Sequence, residues 1–160
     1  MRIAELFDPD CMTMDLQATD KWGAIAELAA LLVPGGRISS LEQYLQAVRE
    51  REAQVSTGVG MGIGIPHGKS DAVLLPTIAF GRSWPGIAWD SIDEQPVYLL
   101  FLLAVPASYG DREYMQTLAK LARLLVHETF RQKLMAARTK PEILSAIQES
   151  EEAARRVELP

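Results

Sequence analysis

The stretch Ser56-Thr57-Gly58-Val59-Gly60-Met61-Gly62-Ile63-Gly64-Ile65-Pro66-His67-Gly68 decides how the rest of the chain is read. Val59, Met61, Ile63 and Ile65 alternate as in a strand, and the glycines between them strip the other face of side chains, so the backbone can be approached closely. Pro66 fixes its own φ and keeps Ile65 extended, and Gly68 permits an unusual turn directly afterwards. His67 is therefore expected at the end of a stiff, glycine-rich strand. A neutral imidazole is a competent nucleophile near pH 7, since its ordinary pKa is about 6.5. A histidine packed into a turn is the other reading that these residues leave open.

Upstream, residues 12–16 alternate and read as a half-buried strand. Asp20 is placed to cap a helix over 20–33, with Trp22, Ile25, Ala29 and Leu32 on one face, stopped by Pro34-Gly35-Gly36. Ser39-x-x-Glu42 has the form of a capping box for a second helix ending near Glu52, with Leu41, Tyr44, Leu45 and Val48 as its apolar face. Downstream, 73–83 reads as a strand and 84–95 as a turn-rich connection. Residues 97–105 are apolar on both faces, which predicts a central strand covered on both sides. A helix is expected over 111–126, with Tyr114, Leu118, Leu121 and Leu125 at helical spacing. Shorter helices follow at 128–137 and 139–149, the last with a Thr139-x-x-Glu142 box. Helices before, between and after strands imply an α/β fold with helices on both faces of a sheet.

The bulk properties narrow the function. A chain of 160 residues with 48% hydrophobic and 23% charged residues suits one globular domain, read here as 1–150 with a frayed tail over 151–160. The formal charge of −5 argues against a general nucleic-acid binder, which needs a basic face. Cys11 is the single cysteine, so no intrachain disulfide forms, and a reducing cytoplasm fits. The first ten residues lack the apolar segment of a signal peptide. The longest apolar run, Val97-Tyr-Leu-Leu-Phe-Leu-Leu-Ala-Val105, is about half of what a membrane helix needs, so no membrane insertion is expected.

Rival chemistries fail on spacing. Gly68-Lys69-Ser70 ends like a Walker A loop, but Ile63 stands where its first glycine belongs. No register of Gly58, Gly60, Gly62, Gly64 and Gly68 gives Gly-x-Gly-x-x-Gly. His67 has no neighbouring His or Cys to share a metal, and there is no Gly-x-Ser-x-Gly elbow. No metal and no cofactor are expected. The other histidine, His127, follows a long amphipathic helix and reads as a helix-end residue.

The segment from Arg51-Glu52 through Ser56-Thr57-Gly58-Val59-Gly60 to Ile63-Gly64-Ile65-Pro66-His67 resembles the active-site segment of the enzyme IIA family. This is the family of the bacterial phosphoenolpyruvate-dependent sugar phosphotransferase system, fructose/mannitol type, with its nitrogen-regulatory paralogue. Gly64 stands where alanine is commoner. The resemblance continues through Pro96-Val97 and Ala119-Lys120-Leu121-Ala122-Arg123-Leu124-Leu125, and spans roughly residues 3–147. It implies a three-layer α/β/α sandwich around a mixed central β-sheet. It implies a phosphotransferase component that accepts phosphate from the phosphocarrier HPr, or a paralogue, and passes it to a IIB domain. Carried over, His67 is the phosphorylated residue, with Nε2 the suggested reacting atom and Nδ1 orienting the ring. The family's arginine, sixteen positions earlier, falls on Arg51, whose guanidinium suits the charge on a transferring phosphoryl group. Arg49 has no matching place.

Ser56 and Thr57 offer hydroxyls, for which hydrogen bonding to backbone at a strand start is the other reading, and Gly68 and the glycine-rich backbone offer unobstructed N–H groups, as phosphate-binding support. An accessible imidazole with Arg51 in reach is the geometry this reading requires. Many family members carry a second histidine near the first, early in the helix after the central strand. Tyr114 aligns with it here; a phenol can donate a hydrogen bond but does not become a cation near neutral pH. Two roles follow: relay of phosphate in sugar uptake, or a regulatory module whose phosphorylation state switches binding to a protein target. No feature of the sequence specifies the sugar, the IIB partner or the oligomeric state.

Overall fold

In the computed structural model, which describes residues 2–158, the apolar run of the sequence is the middle of the molecule. It forms β6, Val97–Pro106, and its alternate residues serve different layers. Leu99, Phe101, Leu103 and Val105 enter one core, while Leu100, Leu102 and Ala104 enter another on the opposite face. A strand buried on both sides needs apolar residues at every position, which is why its pattern is continuous rather than alternating.

The six-stranded sheet runs β1 (Phe7–Thr13), β5 (Thr77–Ile87), β6, β3 (Ile63–Gly64), β2 (Gly58–Gly60), with β4 (His67–Ser70) also paired to β6. It is mixed: β1–β5, β3–β6 and β4–β6 are parallel, whereas β2–β3 and β5–β6 are antiparallel. Helices α1 (Lys21–Ala30) and α2 (Leu41–Gln54) cover one face. Helices α3 (Asp111–Leu125), α4 (Glu128–Ala136) and α5 (Lys140–Glu158) cover the other. The molecule is therefore the expected α/β/α sandwich, and among the described residues no helix is long and apolar enough to cross a membrane.

Several boundaries differ from expectation for identifiable reasons. The first strand begins earlier, at Phe7, behind a 3-10 turn at Ile3–Leu6; it is an edge strand, where Pro9 is tolerated because no neighbour needs its missing N–H. β5 starts after Pro76 rather than at Val73 and runs through Trp84 to Ile87 with a register shift. Trp22 is 46% exposed, and α1 instead buries Ala24, Ile25, Leu28 and Ala29. Helix α2 is capped by Ser40, which accepts from the Gln43 N–H, while Ser39 bonds the Ala72 carbonyl. At α5, Thr139 accepts from the Glu142 N–H, and the Glu142 carboxylate reaches the Arg138 N–H one residue before the box position.

The expected frayed tail is a correction. Residues up to Glu158 continue α5, because Glu151, 9% exposed, accepts hydrogen bonds from the Ile3 N–H at 2.5 Å and the Ala4 N–H at 3.1 Å. The end of the chain thereby holds its beginning. Leu159 and Pro160, part of the same expectation, and Met1 lie outside the described residues.

Candidate functional site

The glycine-rich stretch is not one strand. Gly58–Gly60 and Ile63–Gly64 form a hairpin whose turn residues, Met61 and Gly62, have φ of 59° and 76°. Two successive positive φ values are the signature of a type I′ turn, whose twist matches that of the flanking strands. The chain then lies along β6 in two pieces, β3 and β4, separated by Ile65-Pro66. Pro66 has no N–H to give, but its carbonyl accepts from the Leu103 N–H at 3.0 Å, so the break costs β6 no partner.

That break delivers His67 opposite Leu103, on the α3 side of the sheet. Its Nδ1 lies 2.8 Å from the Ile65 carbonyl oxygen. A carbonyl only accepts, so Nδ1 carries the proton and the Nε2 lone pair is left free. Among the described residues Nε2 has no hydrogen-bond partner, and it is not one of the sealed unpartnered atoms (Arg37 Nε, Trp89 Nε1 and Ser91 Oγ). Nε2 is therefore the polar ring atom that keeps solvent contact. The expectation of a freely accessible imidazole is corrected: His67 is only 6% exposed, because Tyr114 stands edge-on to its ring, with centroids 5.5 Å apart at 81°. Burial lowers the His67 pKa from its ordinary value. The Ile65 carbonyl opposes this, the charge of Arg51 adds to it, and that of Glu52 opposes it again.

Of the three residues singled out for transfer, His67 and Tyr114 are in ring contact and Arg51 is near enough for its charge to act on both. Arg51 lies in the last turn of α2, and its guanidinium charge acts on both His67 and Tyr114. Its Nη1 donates to the Val55 carbonyl at 2.8 Å, which anchors it just past the helix end. Tyr114 is half-buried, and burial raises its pKa to about 12 against a lowering by Arg51, so it is a neutral O–H donor. Lys69 pairs with Asp111 at 3.4 Å, tying β4 to the start of α3.

The supporting residues are placed differently from expectation. Thr57 donates both its N–H, at 2.7 Å, and its hydroxyl to the Glu52 carboxylate, so neither faces a phosphate. Ser56 Oγ accepts from the Gly58 N–H at 3.1 Å, which uses that N–H too, and its hydroxyl donates to the Asp90 carboxylate. Gly68 lies in an ordinary strand with no positive φ. A Cβ there would meet Val48 Cγ2 at 2.8 Å and the Val48 backbone nitrogen at 3.1 Å, so its smallness lets α2 seat on β4. Tyr44 fastens the same contact, donating its hydroxyl to the Leu103 carbonyl at 2.7 Å.

Glu52, which the sequence reading passed over, is 4% exposed and pairs with Lys21 at 3.2 Å. The Arg51-Glu52 pair was its only signal. His127 is exposed, directly before α4. Among the described residues no group of three or more His, Cys, Asp or Glu is arranged to hold a metal ion. The cavity beside Tyr114, lined by Leu103 and Tyr109, has a volume of about 10 Å³, far below a sugar-sized site.

Residues 5–150 match the family described as phosphoenolpyruvate-dependent sugar phosphotransferase system, EIIA 2. The chain belongs to that family. It is similar to the fructose-specific EIIA component of Haloferax volcanii, 42% identical over 140 residues covering 88% of this chain and 90% of that protein. It is also similar to the nitrogen regulatory protein of Escherichia coli, 33% identical over 157 residues covering 94% and 92% of the two chains. In the fructose-specific EIIABC component of Bacillus subtilis, 34% identical, the match spans 23% of the longer protein. Among solved structures, the nitrogen regulatory protein IIA-Ntr of Neisseria meningitidis superposes with a TM-score of 0.83 at 29% identity, over 91% of this chain and 98% of that one. The fold of the family is thus the fold found here, with the His67 segment inside the matched region.

Proposed function

We propose that His67 accepts a phosphoryl group from phospho-HPr or a paralogue and passes it to a IIB domain, in the cytoplasm, during sugar uptake. The observation that carries this is the 2.8 Å contact of Nδ1 with the Ile65 carbonyl, which leaves the Nε2 lone pair free. In the forward step that lone pair forms a bond to phosphorus, the donor's N–P bond breaks, and its electron pair returns to the donor imidazole. The phosphorylated His67 ring acquires cationic character, which the Ile65 carbonyl supports by accepting from Nδ1–H. Arg51 offsets charge on the equatorial oxygens, and Tyr114 donates a neutral O–H to the phosphoryl group. The second step reverses the first, with a IIB side chain as acceptor.

Protein partners are supported by the exposed apolar side chains of Val55, whose carbonyl holds Arg51, and Met115, which follows Tyr114. A regulatory role is the second reading, favoured by Tyr114 in place of the second histidine and by the nitrogen regulatory relatives. There phosphorylation of His67 changes the surface charge and switches binding to a protein target.

Incubation with enzyme I, HPr and phosphoenolpyruvate should place an acid-labile, base-stable phosphate on the wild type and none on His67→Ala. No such label on the wild type sinks both readings. Onward transfer to a IIB domain separates relay from regulation. Arg51→Ala should keep the fold and slow transfer at least about tenfold, or about 1.4 kcal/mol of barrier; an unchanged rate removes Arg51 from the site.

A further inference from the structure

We propose that Glu52 is a positioning residue for transfer at His67: its buried carboxylate, balanced by Lys21, clamps Thr57 and so fixes the turn on which Arg51 rests. The inference rests on His67 being the acceptor. A carboxylate only 4% exposed has to be fully partnered, and this one is. One oxygen takes the Thr57 N–H at 2.7 Å and the Lys21 ammonium at 3.2 Å, and the other takes the Thr57 hydroxyl. Lys21 comes from the first residue of α1, pairs also with Asp90 beyond β5, and sits 5.3 Å from the Trp89 ring centre. The start of α1, the end of α2 and the chain entering β2 are thereby tied at one point.

Satisfying a helix end would not need this much. The difference lies in what is adjacent. Arg51 precedes Glu52 and donates to the Val55 carbonyl, two residues before the clamped Thr57. With Thr57 held, the Val55 carbonyl is held, and the guanidinium with it. A loosened clamp frees that carbonyl, and transfer that depends on in-line placement suffers from displacements of about 1 Å. Glu52 also acts through its charge. The groups that act on or touch His67 are Arg51 and Glu52 of α2 and Tyr114 of α3; the Lys69–Asp111 pair joins β4 to α3 nearby in sequence, and Lys21 and Asp90 lie behind Glu52. Of these, Glu52 favours a protonated imidazole and Arg51 disfavours it.

Glu52→Gln keeps the side chain's size and removes its charge; Lys21→Met removes the balancing charge. Proton NMR follows the His67 titration midpoint, and single-turnover uptake from phospho-HPr gives the rate. Glu52→Gln should lower the midpoint and slow uptake about tenfold, while Lys21→Met should raise the midpoint. A clamp that only supports the fold would lower both melting temperatures and leave uptake by the folded protein at the wild-type rate. Midpoints that stay put or move together, or wild-type uptake in Glu52→Gln, overturn the proposal. If Glu52→Gln does not fold, Lys21→Met decides alone: folded protein with slowed uptake supports the proposal, and wild-type uptake overturns it. Wild-type protein that takes up no phosphate overturns the acceptor reading itself; normal wild-type uptake with an unaltered Glu52→Gln overturns only the role of Glu52.

Discussion

Replacing Gly68 by alanine tests whether this glycine serves the phosphate or the packing of α2. The added Cβ would sit 2.8 Å from Val48 Cγ2 and 3.1 Å from the Val48 nitrogen. Carbon atoms prefer separations of about 3.5 Å or more, so the first contact falls short by roughly 0.7 Å. Relief by rotation is blocked, because Val48 is fully buried and a β-branched side chain in a helix is held near one χ1. The nitrogen belongs to the backbone of α2, so the helix itself has to move. Overpacking of this kind costs about 1–3 kcal/mol, and the stiffer unfolded chain of an alanine variant returns about 0.4–1 kcal/mol. The midpoints of these two ranges leave a net destabilisation of about 1.3 kcal/mol, or roughly 3–5 °C in Tm for a chain of this size. Because α2 carries Arg51, phosphate uptake should also fall, about tenfold or more. Thermal melts followed by circular dichroism, with single-turnover uptake beside them, provide the measurement. Gly35→Ala is the control, since only the flexible Arg37 side chain lies near, at 3.6 Å. Alanine retains the N–H, so a role limited to donating that N–H predicts no change. A Gly68→Ala variant that melts at or above the wild type refutes the packing argument.

Tyr114→Phe keeps the ring against His67 and removes the hydroxyl; uptake should slow by about three- to tenfold with little change in melting, and an unaltered rate would show that the hydroxyl does not touch the phosphoryl group. Burial lowers the His67 pKa, so between the folded midpoint and the unfolded value of about 6.5 the unfolded chain binds more protons. That contribution to stability is complete above about pH 6.5 and is lost as pH falls through the folded midpoint. Urea midpoints measured from pH 8 to pH 5 should therefore fall more in the wild type than in His67→Gln, and parallel curves would contradict the assignment. Truncation after Ser150 removes the Glu151 carboxylate that holds the Ile3 and Ala4 N–H groups, and should lower the melting temperature and expose the N-terminal residues to protease. A truncated chain as stable as the full one would restore the view of that segment as a loose tail.

The sequence by itself determined the layers and, through the family resemblance, singled out the candidate acceptor. An apolar run with no polar face, 97–105, can exist only where both sides are covered, and the amphipathic segments around it supply the covers. Pro66 between Ile65 and His67 forces a break in any strand, and the histidine follows from that break. What only the tertiary structure decided depends on residues distant in sequence. The alternation of 56–68 reads as one strand, but positive φ at Met61 and Gly62 folds it into a hairpin. Thr57 looked available to a phosphate until Glu52 and Lys21 met it. Gly68 looked like a turn residue until Val48 packed onto it, and the tail looked frayed until Glu151 met Ile3. Local periodicity reports which way a side chain faces along its own segment. It carries no information about which charge or backbone will occupy the space that the side chain faces, and in this protein that occupancy sets the roles of Thr57, Gly68 and Glu52.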